Sequence, residues 1–277
     1  MIACHLRFNP VLKRRRLIDA LELSTEPFPS VSVLFPAFND AGTIASMVLS
    51  ARRSVRRWTT DYEILVVNDG SEDATREILE ELLAIVPELR VLHHDVNKGY
   101  GAALRSGFRG AVKELVFYTD GDGQFDPREL DRLMPLLGPG IDYVSGYRVK
   151  RADPFLRVLV GNPYHRFVRF AFGLKVTDVD CDFRVFRRRV LDAIELTETD
   201  GTMCIELLKK LQDGGFRFVE APVGHYPRVY GRSQYFTVKG VLHSYAQLFR
   251  LWMRLVVRKR HLERSIAPLA SVPAQDE

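Results

Sequence analysis

The chain has 277 residues, of which 46% are hydrophobic and 27% are charged, a composition typical of a globular protein large enough to bury one sizeable core. Its formal net charge of +5 suits phosphate-bearing ligands or an anionic membrane surface, and does not by itself demand nucleic acid. Three cysteines without a CxxC spacing suggest neither a disulfide framework nor a structural zinc site.

Membrane-spanning and secretory segments are not expected. No uncharged apolar run reaches the roughly 18 residues of a spanning helix, and the basic cluster Lys13–Arg16 lacks the apolar core of a signal peptide behind it. We therefore expect a protein of the reducing cytoplasm.

From Val31 onward, short β-branched runs alternate with amphipathic stretches, a pattern typical of βαβ units and a mainly parallel sheet. A helix is predicted after Asn39 and Asp40, and a second helix buries Ile78 and Leu82. The strands of this half are predicted at Val31–Phe35, at Glu63–Val67, near Val91 and Leu92, and at Leu115–Thr119.

Beyond Thr119 the pattern is less regular. Asp126, Pro127 and Glu129 predict the N-cap, first and third residues of a helix that Gly138 ends. Further predictions are a strand near Tyr143, helices around Val190 and Glu206, a strand at Phe216–Val223, a basic amphipathic segment from about Val238 to Arg260, and a disordered tail after Ser265.

Two aspartates one residue apart, Asp120 and Asp122, directly follow the strand that ends at Thr119. Because ligands of open α/β sheets bind beyond the carboxyl ends of the strands, Asp69 is predicted on the same edge. Such a carboxylate pair can converge on one hard divalent cation. A solvated acidic turn is the alternative, but the position between an apolar strand and a capped helix favours the cation.

Six short motifs follow one another between residues 31 and 235. They are Pro36-Ala37-Phe38-Asn39, Asn68-Asp69-Gly70-Ser71, Asn97-Lys98-Gly99-Tyr100-Gly101, Asp120-Gly121-Asp122-Gly123-Gln124, Asp178-Val179-Asp180-Cys181-Asp182-Phe183-Arg184 and Arg228-Val229-Tyr230-Gly231-Arg232-Ser233. In this order they resemble family 2 glycosyltransferases, above all dolichyl-phosphate mannose synthases and bacterial polyprenyl-phosphate glycosyltransferases. The resemblance implies the glycosyltransferase A fold, an α/β architecture with a mainly parallel central sheet flanked by helices and a C-terminal amphipathic helix.

The resemblance also implies site residues. The donor nucleotide would be bound by Pro36, Phe38, Asn39, Asp69 and Lys98, and the ion, Mg²⁺ or Mn²⁺, would be held against the diphosphate by Asp120, Asp122 and Gln124. Arg148, Arg157 and Arg228 match basic positions that approach the donor diphosphate or the acceptor phosphate, and Ser233 closes the last motif. For each arginine the alternative is a surface or structural ion pair.

Several positions depart from the family pattern. Phe38 replaces a more usual tyrosine, Asn39 stands where many members have glutamate, and Gly161 stands where relatives often carry serine. Cys181-Asp182 stands where dolichyl-phosphate mannose synthases tend to have Ser-Gly. At Phe38, any contact that relatives make through the tyrosine hydroxyl is therefore lost.

The Gly99-Tyr100-Gly101 segment has part of a dinucleotide-binding fingerprint. The third glycine position is Leu104, and no acidic ribose partner follows at the usual distance. This disfavours a nicotinamide dehydrogenase and predicts a tight strand-to-helix turn with Lys98 near the donor.

The physical chemistry agrees with glycosyl transfer. A departing nucleotide diphosphate gains negative charge, which a divalent ion at Asp122 and a guanidinium such as Arg228 stabilise without proton transfer. A phosphomonoester acceptor is largely anionic at neutral pH and needs no base. A hydroxyl acceptor would need one, and Asp182 or Asp180 would serve; the alternative is that these carboxylates order the loop or pair with Arg184.

The predicted function is an inverting transfer of a hexosyl group from a GDP- or UDP-sugar to a polyprenyl or dolichyl phosphate. A hydroxyl acceptor with Asp182 as base is the second hypothesis, and a non-catalytic or nucleic-acid-binding domain is the third. The intact acidic motif, and the lack of zinc, helix-turn-helix or RNA-binding motifs, argue against the third hypothesis and against a nucleic-acid partner.

The C-terminal segment carries Val241, Tyr245, Leu248, Trp252 and Leu255 at helical spacing, with Arg250, Arg254 and Arg258 on another face. Such a helix can lie peripherally in the headgroup layer at the cytoplasmic face of a membrane; core packing or dimer formation is the alternative, and oligomerisation stays open. The predicted organisation is a basic extension (1–30), a catalytic domain (31–235), this helix (236–264) and a tail (265–277).

Overall fold

The computed structural model describes residues 29–149, 165–231 and 238–263. Its centre is one seven-stranded sheet with the strand order β3-β2-β1-β4-β6-β5-β7. The strands are β1 (Val31–Ala37), β2 (Tyr62–Asp69), β3 (Leu89–His94), β4 (Leu115–Thr119), β5 (Tyr143–Arg148), β6 (Phe183–Arg187) and β7 (Phe218–Val223).

Helices cover both faces of the sheet. They are α1 (Ile44–Val55), α2 (Thr75–Leu83), α3 (Tyr100–Gly110), α4 (Leu130–Leu133), α5 (165–172), α6 (Arg188–Asp192), α7 (Met203–Asp213), α8 (Val238–Trp252) and α9 (Arg260–Glu263), with a π-helical turn at Met253–Val257 after α8. Within the described part of the chain, no helix combines the length and apolar character that crossing a bilayer requires.

The sheet is mainly parallel, as predicted. Strand β1 pairs in parallel with β2 and β4, β2 pairs in parallel with β3, and β5 pairs in parallel with β7. Only β6 runs antiparallel, between β4 and β5. Because β1, β2 and β4 are parallel neighbours, their carboxyl ends meet at one edge, called here the carboxyl edge.

The two faces have separate cores because successive strand residues point to opposite faces. Val33 and Ile64 pack under α1, α2 and α4. Leu34 and Leu65 pack under α3, α5, α7 and α8. Leu248 on α8 belongs to this second core. The apolar face of α8 therefore packs against the domain, which was the alternative to the predicted position in a membrane headgroup layer.

Most predicted elements are confirmed, and β4 has the predicted bounds. Two predictions were wrong in detail, and one strand was not predicted. The helix after Asp126 is only a 3₁₀ turn, one α-helical turn and a second 3₁₀ turn, because Pro135 lacks the N–H that a longer helix needs. Strand β7 begins at Phe218 because the Phe216 N–H instead bonds Leu211 O at the end of α7. The sequence pattern did not predict β6.

The predicted domain boundaries stay predictions. The disordered tail and almost all of the basic extension lie outside the described residues, as do Arg157 and Ser233.

Candidate functional site

Asp69 ends β2 at the carboxyl edge and is held by the start of α3. Its two carboxylate oxygens accept the backbone N–H groups of Lys98 and Gly99, both at 2.9 Å. His94 Nδ1 lies 2.6 Å from Asp69 Oδ1, and His94 Nε2 lies 2.9 Å from Ser106 Oγ. In a neutral imidazole, Nδ1 therefore donates to Asp69 and Nε2 accepts from the serine hydroxyl.

Asp120 and Asp122 lie on the same carboxyl edge as Asp69, just beyond β4. The Tyr100 hydroxyl donates to Asp120 Oδ1 at 2.8 Å, and Asp122 Oδ1 accepts the Gln124 N–H at 2.9 Å. Asp122 Oδ2 pairs with the guanidinium of Arg228. The acidic motif is thus ordered by α3 on one side and by Arg228 on the other.

A third carboxylate, Asp40, belongs to the same cluster. A side chain on Gly121 would meet Asp40 Oδ2 at 3.3 Å, so Asp40 lies against the glycine between the two aspartates of the motif. Asp40 also accepts the Phe38 N–H at 3.1 Å and is buried.

Burial and mutual repulsion shift the titration of this cluster. Burial, followed by the Asp122 charge, raises the pKa of Asp40 to about 7. Burial, followed by the charges of Asp182 and Asp122, raises the pKa of Asp120 well above its usual range. Burial also raises the pKa of Asp122, although Arg228 opposes the shift. Full ionisation of the cluster is therefore unfavourable in the protein alone, and a bound cation would favour the ionised carboxylates.

The chemistry of these side chains fits Mg²⁺ or Mn²⁺ shared with a ligand. In the described ranges, no three His, Cys, Asp or Glu side chains are placed to enclose a metal ion. Mg²⁺ is usually bound by one or two carboxylates together with substrate phosphates and water, and not by an all-protein cage. Asp120 and Asp122 satisfy that requirement.

Gln124, predicted as a third metal ligand, contacts another element. Its side-chain Nε2 lies 3.3 Å from His225 Nε2 and 3.3 Å from Tyr226 O, and its backbone carbonyl oxygen accepts the Tyr226 N–H at 2.9 Å. The side chain thus joins the acidic motif to the segment 224–231, which carries Arg228.

The segment 224–231 covers the acidic motif and presents apolar side chains. The ring of Tyr230 packs so closely on Gly42 that any side chain there would clash with it at 2.4 Å. Val229 is 78% exposed and lies next to Gly123. The mouth of the site therefore combines the Arg228 charge with exposed apolar surface.

Asp182 lies behind the motif in a hydrogen-bonded group. It accepts from the Tyr118 hydroxyl (3.1 Å) and the Cys204 thiol (3.0 Å), and pairs with Arg184 Nη1 at 3.2 Å. Arg184 is fully buried and also donates to Val179 O at 2.6 Å. Asp182 thus pairs with Arg184, as expected if this carboxylate has a structural role and is not a general base.

The other two carboxylates of the 178–184 motif have separate partners. Arg148 donates two hydrogen bonds to Asp178, from Nε to Oδ2 and from Nη2 to Oδ1, each 2.7 Å long. Asp180 pairs with His165 Nδ1 at 2.7 Å. The Arg148 side chain is only 6% exposed, and its guanidinium is paired with Asp178. Arg148 therefore forms a structural ion pair, which was the alternative to the predicted phosphate contact.

The remaining predicted donor residues also lie at the carboxyl edge. Pro36 O accepts the Gly121 N–H at 3.3 Å. Asn39 adopts the left-handed region (φ 55°), and its Oδ1 accepts the Glu72 N–H at 2.8 Å. Phe38 is half-buried beside it. Lys98 contributes its backbone N–H to Asp69, as described above.

Comparison with known proteins assigns the family. The model of the family described as "Glycosyl transferase family 2" matches residues 32–195, which include β1 to β6 and the acidic motif. The chain belongs to glycosyl transferase family 2.

This family 2 chain is similar to curated bacterial and archaeal transferases. It is 28% identical over 215 residues to the undecaprenyl-phosphate 4-deoxy-4-formamido-L-arabinose transferase of Aeromonas hydrophila, covering 77% of this chain and 64% of that protein. It is 30% identical over 243 residues to the glycosyltransferase AglD of Haloferax volcanii, covering 84% of this chain and 39% of that protein. The chain thus spans less than two thirds of the length of either relative.

A solved structure confirms the fold. The glucosyl-3-phosphoglycerate synthase of Mycobacterium tuberculosis, in complex with Mn²⁺, UDP and phosphoglyceric acid, superposes with a TM-score of 0.62 at 22% identity, covering 81% of this chain and 78% of that one. The family 2 chain therefore has the glycosyltransferase A fold that the sequence predicted.

Three residues of the family 2 chain reach the site without having been predicted there. Asp40 was assigned only to a helix start, Tyr100 only to a glycine-rich turn, and His94 to no role. Tyr100 could have been found because it lies inside the motif 97–101, and Asp40 because it directly follows the motif 36–39. For His94 the signal was its position at the end of a strand that neighbours β2.

Proposed function

We propose that the chain transfers a hexosyl group from a nucleotide diphosphate sugar to a polyprenyl phosphate, with inversion at the anomeric carbon. The observation that carries the proposal is the juxtaposition of Asp120, Asp122 and Arg228 at the carboxyl edge. A carboxylate pair for a divalent ion and a guanidinium within hydrogen-bonding reach of that pair are the two groups that a departing diphosphate requires.

Each side chain has a stated task in this reaction. Asp69, ordered by His94 and the start of α3, would bind the nucleoside. Asp120 and Asp122 would hold Mg²⁺ or Mn²⁺, which supplies positive charge to the diphosphate. Arg228 would turn its fork from Asp122 to a phosphate oxygen, because a guanidinium binds phosphate in the same two-pronged way as carboxylate.

The phosphate acceptor is favoured by the surroundings of Asp182. A general base must be able to direct an oxygen lone pair at the acceptor hydroxyl, whereas three donors to Asp182 Oδ1, from Tyr118, Cys204 and Arg184, already fix the orientation of this carboxylate. A phosphomonoester attacks through an oxygen that is already anionic. The names of the undecaprenyl-phosphate transferases among its relatives support the same acceptor.

Contact with the cytoplasmic face of a membrane is part of the proposal. Phe170 on α5 is 87% exposed and Phe249 on α8 is 62% exposed, and Trp252 Nε1 joins the two helices by donating to Ala171 O at 2.9 Å. Exposed aromatic side chains on adjoining helices suit the interfacial layer of a bilayer.

The test begins with nucleotide binding. Calorimetry with UDP and GDP, with and without Mn²⁺, should show affinity that depends on the metal, and Asp122→Asn should lower that affinity and reduce turnover by about a hundredfold or more. Asp126→Asn is the matched control, because asparagine still caps the following turn. A panel of UDP- and GDP-sugars offered with undecaprenyl phosphate then identifies the donor. Unchanged metal dependence in Asp122→Asn would refute the proposed site.

A further inference from the structure

A cavity outside the acidic motif lies between the 198–200 loop and the C-terminal helical segment. Its volume is about 580 Å³. Arg250, Arg254, Arg258 and Arg260 line it, with Glu198 and Asp200 as the acidic residues of the lining. The lining therefore has an excess of two positive charges, and it is called here the arginine cavity.

Both acidic residues of the arginine cavity are already satisfied by the protein. Glu198 Oε1 pairs with Arg254 at 2.5 Å, and Asp200 Oδ1 accepts both the N–H and the hydroxyl of Thr202 at 2.7 Å. Arg254 also reaches Glu206 at 3.1 Å. The acids therefore fix Arg254 and the loop, and leave the remaining arginines for a ligand.

Those remaining arginines, Arg250, Arg258 and Arg260, are exposed. Among the described residues, no carboxylate forms an ion pair with any of them. Three guanidinium groups around one cavity form a site for an oxyanion, above all a phosphate group, which accepts two-pronged hydrogen bonds.

The cavity also has apolar surroundings. Phe249 and Met253 belong to its lining, and Tyr245 and Val257 on the same helical segment are 52% and 51% exposed. An exposed apolar rim around basic groups suits a phosphate carried by a lipid better than a phosphate free in solution.

The floor of the cavity is joined to the catalytic side of the molecule. Thr199 O accepts the N–H groups of Gly101 (2.9 Å) and Ala102 (3.3 Å) at the start of α3. A side chain on Gly101 would come within 2.8 Å of Asp200 O, so only glycine permits this contact. The neighbouring residue Tyr100 bonds Asp120. A lipid bound in the cavity would therefore hold the carboxyl edge close to the membrane.

We infer that the arginine cavity binds the phosphate of an anionic membrane phospholipid, through Arg250, Arg258 and Arg260. The inference rests on the proposed membrane contact and gives it a discrete binding site. It assigns these arginines to a resident lipid, separate from the donor and the acceptor at the acidic motif.

The test is vesicle binding by the full chain. Vesicles of phosphatidylcholine with phosphatidylglycerol should bind the protein, and vesicles of phosphatidylcholine alone should bind it much less. Arg250→Gln/Arg258→Gln should weaken binding to the anionic vesicles about thirtyfold, since each arginine near an anionic surface contributes about fivefold. Arg53→Gln/Arg56→Gln removes the same charge from exposed positions in the last turn of α1 and directly after it, and should leave binding unchanged.

Inorganic phosphate separates a lipid site from a soluble one. Phosphate should compete only weakly with anionic vesicles. If phosphate alone binds tightly at the cavity, with the same dependence on Arg250 and Arg258, the lipid assignment is overturned. Equal losses in the two double variants, or no loss in either, would overturn the cavity as a site.

Nucleotide binding, measured on the same proteins, keeps this inference apart from the proposed function. Arg250→Gln/Arg258→Gln should retain the metal-dependent affinity for nucleotide of the unaltered chain, which also shows that the variant is folded. Loss of vesicle binding with retained nucleotide binding supports the lipid site. Nucleotide binding that fails in the unaltered chain refutes the glycosyl transfer proposal and leaves the vesicle result to be judged alone.

Discussion

The guanidinium of Arg228 pairs with the carboxylate of Asp122 across 106 positions of the chain. The contact brings the segment after β7 over the acidic motif that follows β4. A cationic side chain is thus held at the carboxylate that is proposed to carry the metal ion.

Replacing Arg228 by lysine keeps the charge but removes the planar fork. We expect turnover to fall about tenfold to a hundredfold with a smaller change in nucleotide affinity, because the fork acts chiefly on charge that develops as the diphosphate departs. Steady-state kinetics measures both quantities. Arg128→Lys, whose exposed side chain pairs with Asp126, is the control and should behave as the unaltered chain.

His94→Gln tests whether the histidine orders Asp69 for the nucleoside. Loss of the 2.6 Å hydrogen bond should weaken nucleotide binding about tenfold while turnover at saturating donor stays nearly constant. His93→Gln is the neighbouring control, since His93 contacts Asn68 and Glu80 but not Asp69. Calorimetry measures the nucleotide affinity of both variants. Equal affinities would show that His94 does not order Asp69 for nucleotide binding.

Asp182→Asn distinguishes the two acceptor classes. With a lipid phosphate acceptor, turnover should fall only a few fold, because the amide oxygen can still accept from Tyr118 and Arg184. With a hydroxyl acceptor, loss of the base should reduce turnover by at least about a hundredfold. The comparison requires equal thermal stability, because removing a partner of the buried Arg184 by Asp182→Ala should destabilise the fold.

Glu63 should give the chain a defined acid sensitivity. Burial opposes its ionisation, but hydrogen bonds from Ser32, the Val112 N–H and Arg90 outweigh burial and lower the pKa of Glu63 below its usual 4.5. A carboxyl group with a depressed folded-state pKa contributes stability above its unfolded pKa, and that contribution is lost as pH falls through the folded value.

The measurement is the free energy of unfolding as a function of pH. The unaltered chain should lose stability on acidification below about pH 4.5, and Glu63→Gln should be less stable at neutral pH with a flatter acid limb. Glu81→Gln, at an exposed position of α2, should reproduce the unaltered profile. A parallel acid limb in Glu63→Gln would show that Glu63 does not contribute.

The elements of the first half could be predicted because each is local. An apolar run ending at Thr119 determines β4, and the carboxyl-edge rule then places Asp120 beside Asp69. Strand β6 was not predicted because its arginines, Arg184 and Arg187, resemble a solvated segment. Arg184 is buried only because Tyr118, Asp182 and Val179 surround it, and those contacts depend on the assembled sheet.

The ion-pair partners of charged side chains could not be predicted from their spacing in the sequence either. Asp178, Asp180 and Asp182 stand at every second position of one motif, yet each has a different partner. Conversely, Asp40 and Asp120 are 80 positions apart and share one cluster. Spacing determines which strand or loop carries a carboxylate, whereas the choice of counter-ion depends on the tertiary packing.

The antiparallel strand β6 has a consequence for the tolerance of the fold to insertions. Strand β4 receives this partner only after the chain has passed through β5, so the pairing of the first four strands does not constrain the length of the segment between β5 and β6. A longer connection there should leave the strand ends that carry Asp69, Asp120 and Asp122 unchanged.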